Sequence, residues 1–213
     1  RNDQYGNYNL RPEFTNTIEY GFEMRFFKNR LGIDFTRYSA LSKDLIVPVP
    51  ISASTGYTST YLNAGEISNK GIEVTLNATP IRNKDFDWNF SVNFSRNKSR
   101  VEKINEDLSV GEIYIADQFG YVRSNATMKL VPEYPQGAIF GRSYKRYYGK
   151  DTDDGITLAR DKPLLIGANG FPIIDTKQRY LGKSEPDFII NTFQTVRYKD
   201  FSLSVLLDWR KGI

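Results

Sequence analysis

The chain has 213 residues with 14 Phe, 14 Tyr, no Cys and no His, and a formal net charge of +4 spread along its length. Missing cysteines exclude a disulfide framework and a thiolate metal site within it, and missing histidines remove the usual general base and the commonest zinc ligand. The mild charge is no polybasic tail for nucleic acid, and no run of about 18 apolar residues is present to make a membrane helix.

In chain order, the opening "RNDQYGNYNLRPEF" reads as mid-chain, and the end, "LLDWRKGI", breaks off after a strand, so an excerpt of a longer protein is expected. From Ile18 the residues alternate. Ile18, Tyr20, Phe22, Met24 and Phe26 form one set, and Glu19, Gly21, Glu23 and Arg25 the other. A turn at Lys28 to Arg30 leads into Leu31, Ile33 and Phe35 against Gly32, Asp34 and Thr36. Period-2 alternation across a tight connection predicts a β-hairpin. The segment "IVPVPIS" from Ile46 has proline at alternate positions and reads as an edge strand or extended rim, because proline cannot donate to a ladder. Gly65 and Gly71 predict a bend or bulge, with Asn69-Lys70-Gly71 as a turn.

A second hairpin follows. Ile72, Val74, Leu76 and Ala78 oppose Glu73, Thr75, Asn77 and Thr79, and Pro80 is expected to end this strand. After the turn, Phe86, Trp88, Phe90, Val92 and Phe94 alternate with Asp87, Asn89, Ser91, Asn93 and Ser95. A third hairpin turns at Lys199-Asp200. Its second strand carries Phe201, Leu203, Val205, Leu207 and Trp209 on one face and Ser202, Ser204 and Asp208 on the other, with Leu206 the exception. Its first strand is less clean, with Phe188, Ile190, Val196 and Tyr198 sharing a face with Thr192 and Gln194.

Within hairpins the turns are a few residues long. Between them the chain wanders, roughly Leu41 to Ser68 and roughly Arg96 to Asp187. In an up-and-down sheet this puts every short turn at one end and every long loop at the other, the asymmetry of outer-membrane barrels. The pattern therefore points to an all-β fold, an antiparallel transmembrane β-barrel portion with long extracellular loops. Glu19, Glu23, Arg25, Asp34, Glu73, Asp87, Asn89 and Asn93 are then expected to face the lumen or the domain that fills it. Phe22, Ile33, Val74, Leu76, Phe90, Val92, Leu203 and Val205 are expected to face lipid. Tyr20, Phe26, Phe86, Trp88, Tyr198, Phe201 and Trp209 lie near strand ends, where aromatic belts sit at a bilayer interface. The alternative is a soluble carbohydrate-binding β-sandwich, in which the apolar faces meet each other.

Motifs that could carry chemistry are weak. "DTDDG" puts Asp151 and Asp153 at positions 1 and 3 of a calcium loop. Gly155 at position 5 and Lys162 at position 12 break that pattern, so a solvated Asp-Gly turn is expected. "GRSYKRYYGK" interleaves cations and aromatics, but isolated in a long loop it reads as a loop face, and no nucleic acid is expected. The sequons at Asn77, Asn89 and Asn93 fall in predicted strands, where short polar residues are simply lining. No nucleophile–base pair and no convergent acid pair is present, so neither an enzyme nor a cofactor is expected.

The stretch "NAGEISNKGIEVTLNATPIRNKDFDWNFSVNFSRNKSRV" resembles the C-terminal barrel region of TonB-dependent outer-membrane transporters, in particular their SusC/RagA branch from Bacteroidota. The flanking "LRPEFTNTIEYGFEMRFFKNRLGIDF", "PQGAIFGRSYKRYYGKDTDDGIT" and "LGKSEPDFIINTFQTVRYKDFSLSVLLDWRKG" keep the same order, so the resemblance covers nearly the whole chain. It implies that residues 1–213 belong to the barrel domain of a 22-stranded receptor whose plug and TonB box lie outside the excerpt. It also implies an outer-membrane location, a SusD-like lipoprotein lid, TonB with its inner-membrane motor proteins, and a glycan or peptide substrate. A passive porin would lack the plug and the TonB box.

Overall fold

The computed structural model describes residues 4–104, 113–116 and 126–212. Among the described residues thirteen strands follow in chain order: β1 Gln4–Tyr5, β2 Phe14–Phe26, β3 Leu31–Lys43, β4 Ile46–Pro50, β5 Ser59–Asn63, β6 Gly65–Arg82, β7 Phe86–Ile104, β8 Ile113–Ala116, β9 Ala126–Leu130, β10 Ala138–Gly141, β11 Arg179–Lys183, β12 Phe188–Tyr198 and β13 Phe201–Lys211. A 3-10 turn spans Ala53–Thr55. The chain divides into two compact units. A sheet unit comprises Phe14–Lys43, Ile67–Arg100 and Glu185–Ile213, and a loop unit comprises Arg1–Glu13, Asp44–Glu66 and Val101–Ser184.

The sheet unit is one layer of six strands in the order β13-β12-β7-β6-β3-β2. The β2–β3, β3–β6, β7–β12 and β12–β13 ladders are antiparallel, and the sheet is open, with β2 and β13 as its two edges. The three predicted hairpins are present. The first turn holds Phe27, Lys28 and Asn29 at positive φ, and the third holds Lys199 at φ 51°. The turns after β2, β6 and β12 all fall at one end of the sheet, and the long connections leave from the other. Strands of 11 to 19 residues are about twice the usual five or six. All reach the roughly 9–11 needed to cross a bilayer at a tilt, and four exceed it.

Two expectations are corrected here. Asn69-Lys70-Gly71 is not a turn, because β6 runs unbroken from Gly65 and Gly71 is not among the residues with positive φ. Gly71 is needed for space: it faces Tyr38 across the ladder, and a Cβ there would lie 2.2 Å from the Tyr38 ring. Gly65 is similarly crowded, with the Lys103 carbonyl 2.2 Å from the place a Cβ would take. Nor does Pro80 end its strand. The Thr79 N–H reaches the Arg30 carbonyl at 2.8 Å, and β6 continues to Arg82. There β3 no longer pairs with it, the β3–β6 ladder ending at Ala78, and a one-sided stretch tolerates a residue that cannot donate.

The loop unit contains what the sequence reading treated as irregular chain. A small sheet runs β1-β5-β4, with β4 at its edge, as the alternating prolines require, and β1 joined by a two-residue parallel ladder. A second sheet runs β11-β10-β9-β8. This unit has an ordinary apolar core that includes Val101, Ile104, Leu130, Ala138 and Phe140, all at most 9% exposed. Tyr134, Phe140 and Tyr180 pack as an aromatic trio with centroids 5.0–5.7 Å apart.

Candidate functional site

Residues directly opposite in a ladder share a face, so the registers sort β2, β3 and β6 together and β7, β12 and β13 together, and the Tyr38–Asn97–Asn69 and Thr79–Asn89 hydrogen bonds tie the two sets to each other. Phe22 faces Phe35, which faces Val74; Met24 faces Ile33, which faces Leu76. On the other side, Phe90 faces Gln194 and Val205, and Val196 joins Trp88 to Leu203. All eight residues expected to face lipid therefore lie on one face. The seven belt aromatics share it, including Phe26 opposite Leu31 and Tyr198 between Phe86 and Phe201.

The second face gathers the eight residues expected to face a lumen. Glu23 sits opposite Asp34, Glu19 opposite Tyr38, Asp87 opposite Arg197 and Asn93 opposite Asn191. Asn89 joins them, because its Oδ1 accepts a 2.8 Å hydrogen bond from Thr79 Oγ1. Among the described strand residues of this unit, every carboxylate (Glu19, Glu23, Asp34, Glu73, Asp87 and Asp208) lies on this polar face. Its contacts are short-range and mutual. Arg25 donates to Glu23 at 2.6 Å and stands 4.0 Å from Asp34, lying across Gly32, where a side chain would collide with its guanidinium. Tyr38 donates to Asn97 Oδ1 at 3.2 Å, and Asn97 donates to Asn69 at 3.3 Å. The exposed Arg25–Glu23 pair contributes about 0–1 kcal/mol, so it is easily exchanged for other partners.

Leu206 is indeed out of pattern, and it has company. It pairs with Phe193 on the polar face, and both are exposed, at 67% and 49%. The apolar face is also uncovered. Ile18 is 73% exposed, Leu203 65%, Leu207 59% and Trp209 58%. A packed sandwich would bury these side chains, and each large one left in water forgoes about 1.5–3 kcal/mol of burial.

The loop unit's polar centre was not foreseen. Arg179 and Asp175 are 5% and 4% exposed, and the Arg179 Nε donates to Asp175 at 2.8 Å. Its Nη1 and Nη2 donate to the two oxygens of Asp153 at 2.5 and 2.8 Å. The hydrogen bond from Arg179, helped by the Gly155 N–H, holds the Asp153 carboxyl well below the usual carboxylate range. The Asp153 hydrogen bond in turn raises the pKa of Arg179. A hydrogen bond from Thr157 and the N–H groups of Ile156 and Thr157 lower Asp154. Asp151 is bound by Lys162. "DTDDG" is thus an exposed turn, with Gly155 at φ 77°, and Arg179 clips it through Asp153. Among the described residues no group of three or more acidic side chains is placed to hold a metal ion. In "GRSYKRYYGK", Arg146 donates to the Lys162 carbonyl at 2.7 Å, so its cation pins the loop backbone.

The sequence model of the family described as "TonB dependent receptor-like, beta-barrel" matches residues 1–210. The chain is 30% identical over 215 residues to the TonB-dependent receptor P3 of Formosa agariphila, covering 98% of this chain and 21% of that protein. It is 26% identical over 206 residues to the TonB-dependent receptor SusC of Bacteroides thetaiotaomicron, covering 94% and 20%. A solved structure described as the RagAB peptide transporter superposes with a TM-score of 0.68 at 19% identity, over 94% of this chain and 21% of that one. The chain therefore spans about a fifth of the length of the relatives it matches.

Proposed function

Because this chain belongs to the TonB dependent receptor-like β-barrel family, we propose that residues 1–213 are one continuous part of the wall and outer loops of an outer-membrane importer. The whole protein takes up a bulky nutrient, a glycan or a peptide, and does no catalysis. The observation that carries this reading is the exposed apolar face of a single-layer sheet, with the described strand carboxylates of that unit on the opposite face. In a bilayer the exposure of Leu203 and Leu207 becomes burial, and the charged face lines an aqueous interior.

On this reading Glu19, Glu23, Arg25, Asp34, Glu73, Asp87, Asn89 and Asn93 meet lumen water or a plug domain carried elsewhere in the full protein. Their weak, exchangeable pairs suit a surface whose partner is remodelled during transport. TonB supplies the energy from the inner membrane, and a SusD-like lipoprotein lids the barrel at the long-loop end. The names of the relatives support this assignment, one being SusC and another a RagAB peptide transporter.

The test is fractionation of the full-length protein from cells. Recovery with outer membranes, extraction only by detergent and a heat-dependent shift in gel mobility are expected. A soluble protein whose mobility ignores heating would overturn the barrel. For the import function, deletion of the full-length gene product should abolish growth on one glycan or peptide source, and a strain unaffected on every such source would contradict it.

A further inference from the structure

In the loop unit three short segments of chain close on one another. The Lys145 N–H donates to the Ile173 carbonyl at 2.8 Å, the Ile173 N–H to the Leu165 carbonyl at 2.9 Å, and the Leu165 N–H to the Lys145 carbonyl at 3.0 Å. The Tyr147 N–H donates to Pro163 and the Asp175 N–H to Ser143, which ties the same three segments further. Beside them is an open cleft of about 280 Å³, with Lys145, Arg146, Tyr148, Lys177 and Arg179 in its wall together with Asp153 and Asp175. Ligand pockets run about 300–1,000 Å³, so this one has room for one group of a larger molecule.

The carboxylates in this wall are already used. Asp153 accepts from both terminal nitrogens of Arg179 and from the Gly155 N–H, and Asp175 accepts from Arg179 and from the Lys177 N–H. The neighbouring acids are engaged as well, Asp151 by Lys162 and Asp154 by the N–H groups of Ile156 and Thr157. Asp161 adds its charge beside Lys162. The cations are not matched in this way. The ammonium groups of Lys145 and Lys177 make no ion pair or hydrogen bond among the described residues, although the charge of Lys177 helps to lower the pKa of Asp153. The Arg146 Nε is buried without an acceptor. From Gly141 to Arg179 the chain carries eight Lys and Arg against five Asp, so the surplus is positive in the whole segment as well as in the wall.

Two unpaired ammonium groups and two guanidinium groups around one opening favour an oxygen anion carried on a ligand. What carries that anion follows from the backbone. An extended peptide binds by adding a strand to an open edge. Here Lys145, Leu165 and Ile173 spend their N–H groups on one another, so the cleft offers side chains instead. Tyr144 and Tyr147, the chain neighbours of Lys145 and Arg146, are 49% and 60% exposed. Such rings pack on the C–H face of a sugar while their hydroxyls stay wet. We infer that the cleft holds the carboxylate or sulfate group of an acidic glycan. Lys145 and Lys177 supply the charge, and Arg179, fixed by its two aspartates, forms the rigid wall. This rests on the import reading and narrows its substrate to a glycan that carries negative charge. The grip works through exposed ammonium groups, so it weakens with salt.

The full-length protein is purified from outer membranes in detergent and titrated calorimetrically with matched oligosaccharides. Oligomers of galacturonic acid and of glucuronic acid are paired with their carboxyl-reduced forms, and sulfated galactan oligomers with their desulfated forms. Oligoglutamate is the peptide arm. At least one acidic oligomer is expected to bind about tenfold more tightly than its neutral partner, and more tightly than oligoglutamate. Whether the uronic or the sulfated pair shows this preference tells which group the cleft takes. Lys145→Gln with Lys177→Gln should remove the preference, and Lys145→Arg with Lys177→Arg should keep it. Arg142→Gln with Lys150→Gln, at exposed positions of the same segment outside the cleft, should leave it unchanged. If the double glutamine variant does not reach the outer membrane, Lys177→Gln alone should reduce the preference, and no reduction would count against the cleft. Neutral partners bound as tightly as acidic ones, no binding of any acidic oligomer, a preference that survives loss of both lysines, or tighter binding of oligoglutamate would each overturn the inference. A heat-modifiable outer-membrane protein that supports growth on a glycan yet ignores acidic groups defeats the cleft alone, whereas absence from outer membranes defeats the import reading itself.

Discussion

The two units of this chain bury apolar side chains by opposite rules. The loop unit does what a water-soluble domain does. Val101, Ala138 and Phe140 are at most 4% exposed, and a buried guanidinium is paired by two carboxylates. The sheet unit has the same strands, turns and alternation, yet Phe22, Leu203, Leu207 and Trp209 stand in the open, and Ile67 is its sole buried hydrophobic residue among those described. The difference teaches that alternation alone specifies a two-faced sheet. What covers the apolar face is decided by whether a second layer exists. The loop unit carries its own core, and on the proposed reading the sheet unit has lipid for one.

Breaking the loop unit from within should have the largest effect. Arg179→Met leaves Asp175 and Asp153 without their cation, and removing one member of a buried charge cluster costs about 3–5 kcal/mol. The expected result is rapid proteolysis of the loop unit in intact outer membranes with insertion of the barrel unchanged. Loss of insertion instead would mean that the two units do not follow separate rules.

Next comes the sheet unit's orientation. Phe90→Arg should cost about 2–4 kcal/mol in urea titrations of the refolded full-length protein in vesicles, against little for Asn89→Arg one residue away. Equal costs at the two sites would remove the distinction between the faces.

Smaller is the effect of the Tyr38–Gly71 pair. Gly71→Ala pushes the Tyr38 ring off the strand and should cost about 1–3 kcal/mol, the range for overpacking. Adding Tyr38→Ala should recover part of that loss. Strict additivity in this double-mutant cycle would show that the close approach carries no energy.

The smallest effect is with pH. The pKa values of Asp153 and Asp154 are lowered from the ordinary 3.8 on folding. Their stabilising contribution is complete above that value and is lost as pH falls through the depressed folded-state range. Protease resistance of the loop unit should hold from neutrality to about pH 5 and fall below about pH 4. Asp153→Asn should remove part of that acid sensitivity.

The legible part of the fold was the part with a local rule. Period 2 placed three hairpins, both faces and the out-of-pattern Leu206, and the length of the connections fixed which end holds the tight turns. What escaped lacked alternation. Above Ile72, β6 reads Glu66, Ile67, Ser68, Asn69, Lys70, and above Ser95, β7 reads Arg96, Asn97, Lys98, Ser99, Arg100, polar on both faces. These stretches are held as strand by neighbours distant in sequence, such as Tyr38 beside Gly71. The two small sheets have strands of two to five residues, too short for a period to register. The Asp153–Arg179–Asp175 cluster joins residues up to 26 apart, so only the fold brings it together. A lone Arg two residues after "TK" gave no sign of it.

The central claim is that the apolar face meets lipid, and the most direct measurement places a fluorophore on each face in turn. In a cysteine-free background of the full-length protein, Phe90→Cys and Asn89→Cys are labelled and the barrels are reconstituted in vesicles. Quenchers are then supplied either on lipid acyl chains or in water. Quenching by the acyl-chain quencher at 90 and by the aqueous quencher at 89 is the predicted result. Aqueous quenching at both positions, or protection of 90 from both quenchers, would contradict it, the first placing the face in water and the second against protein.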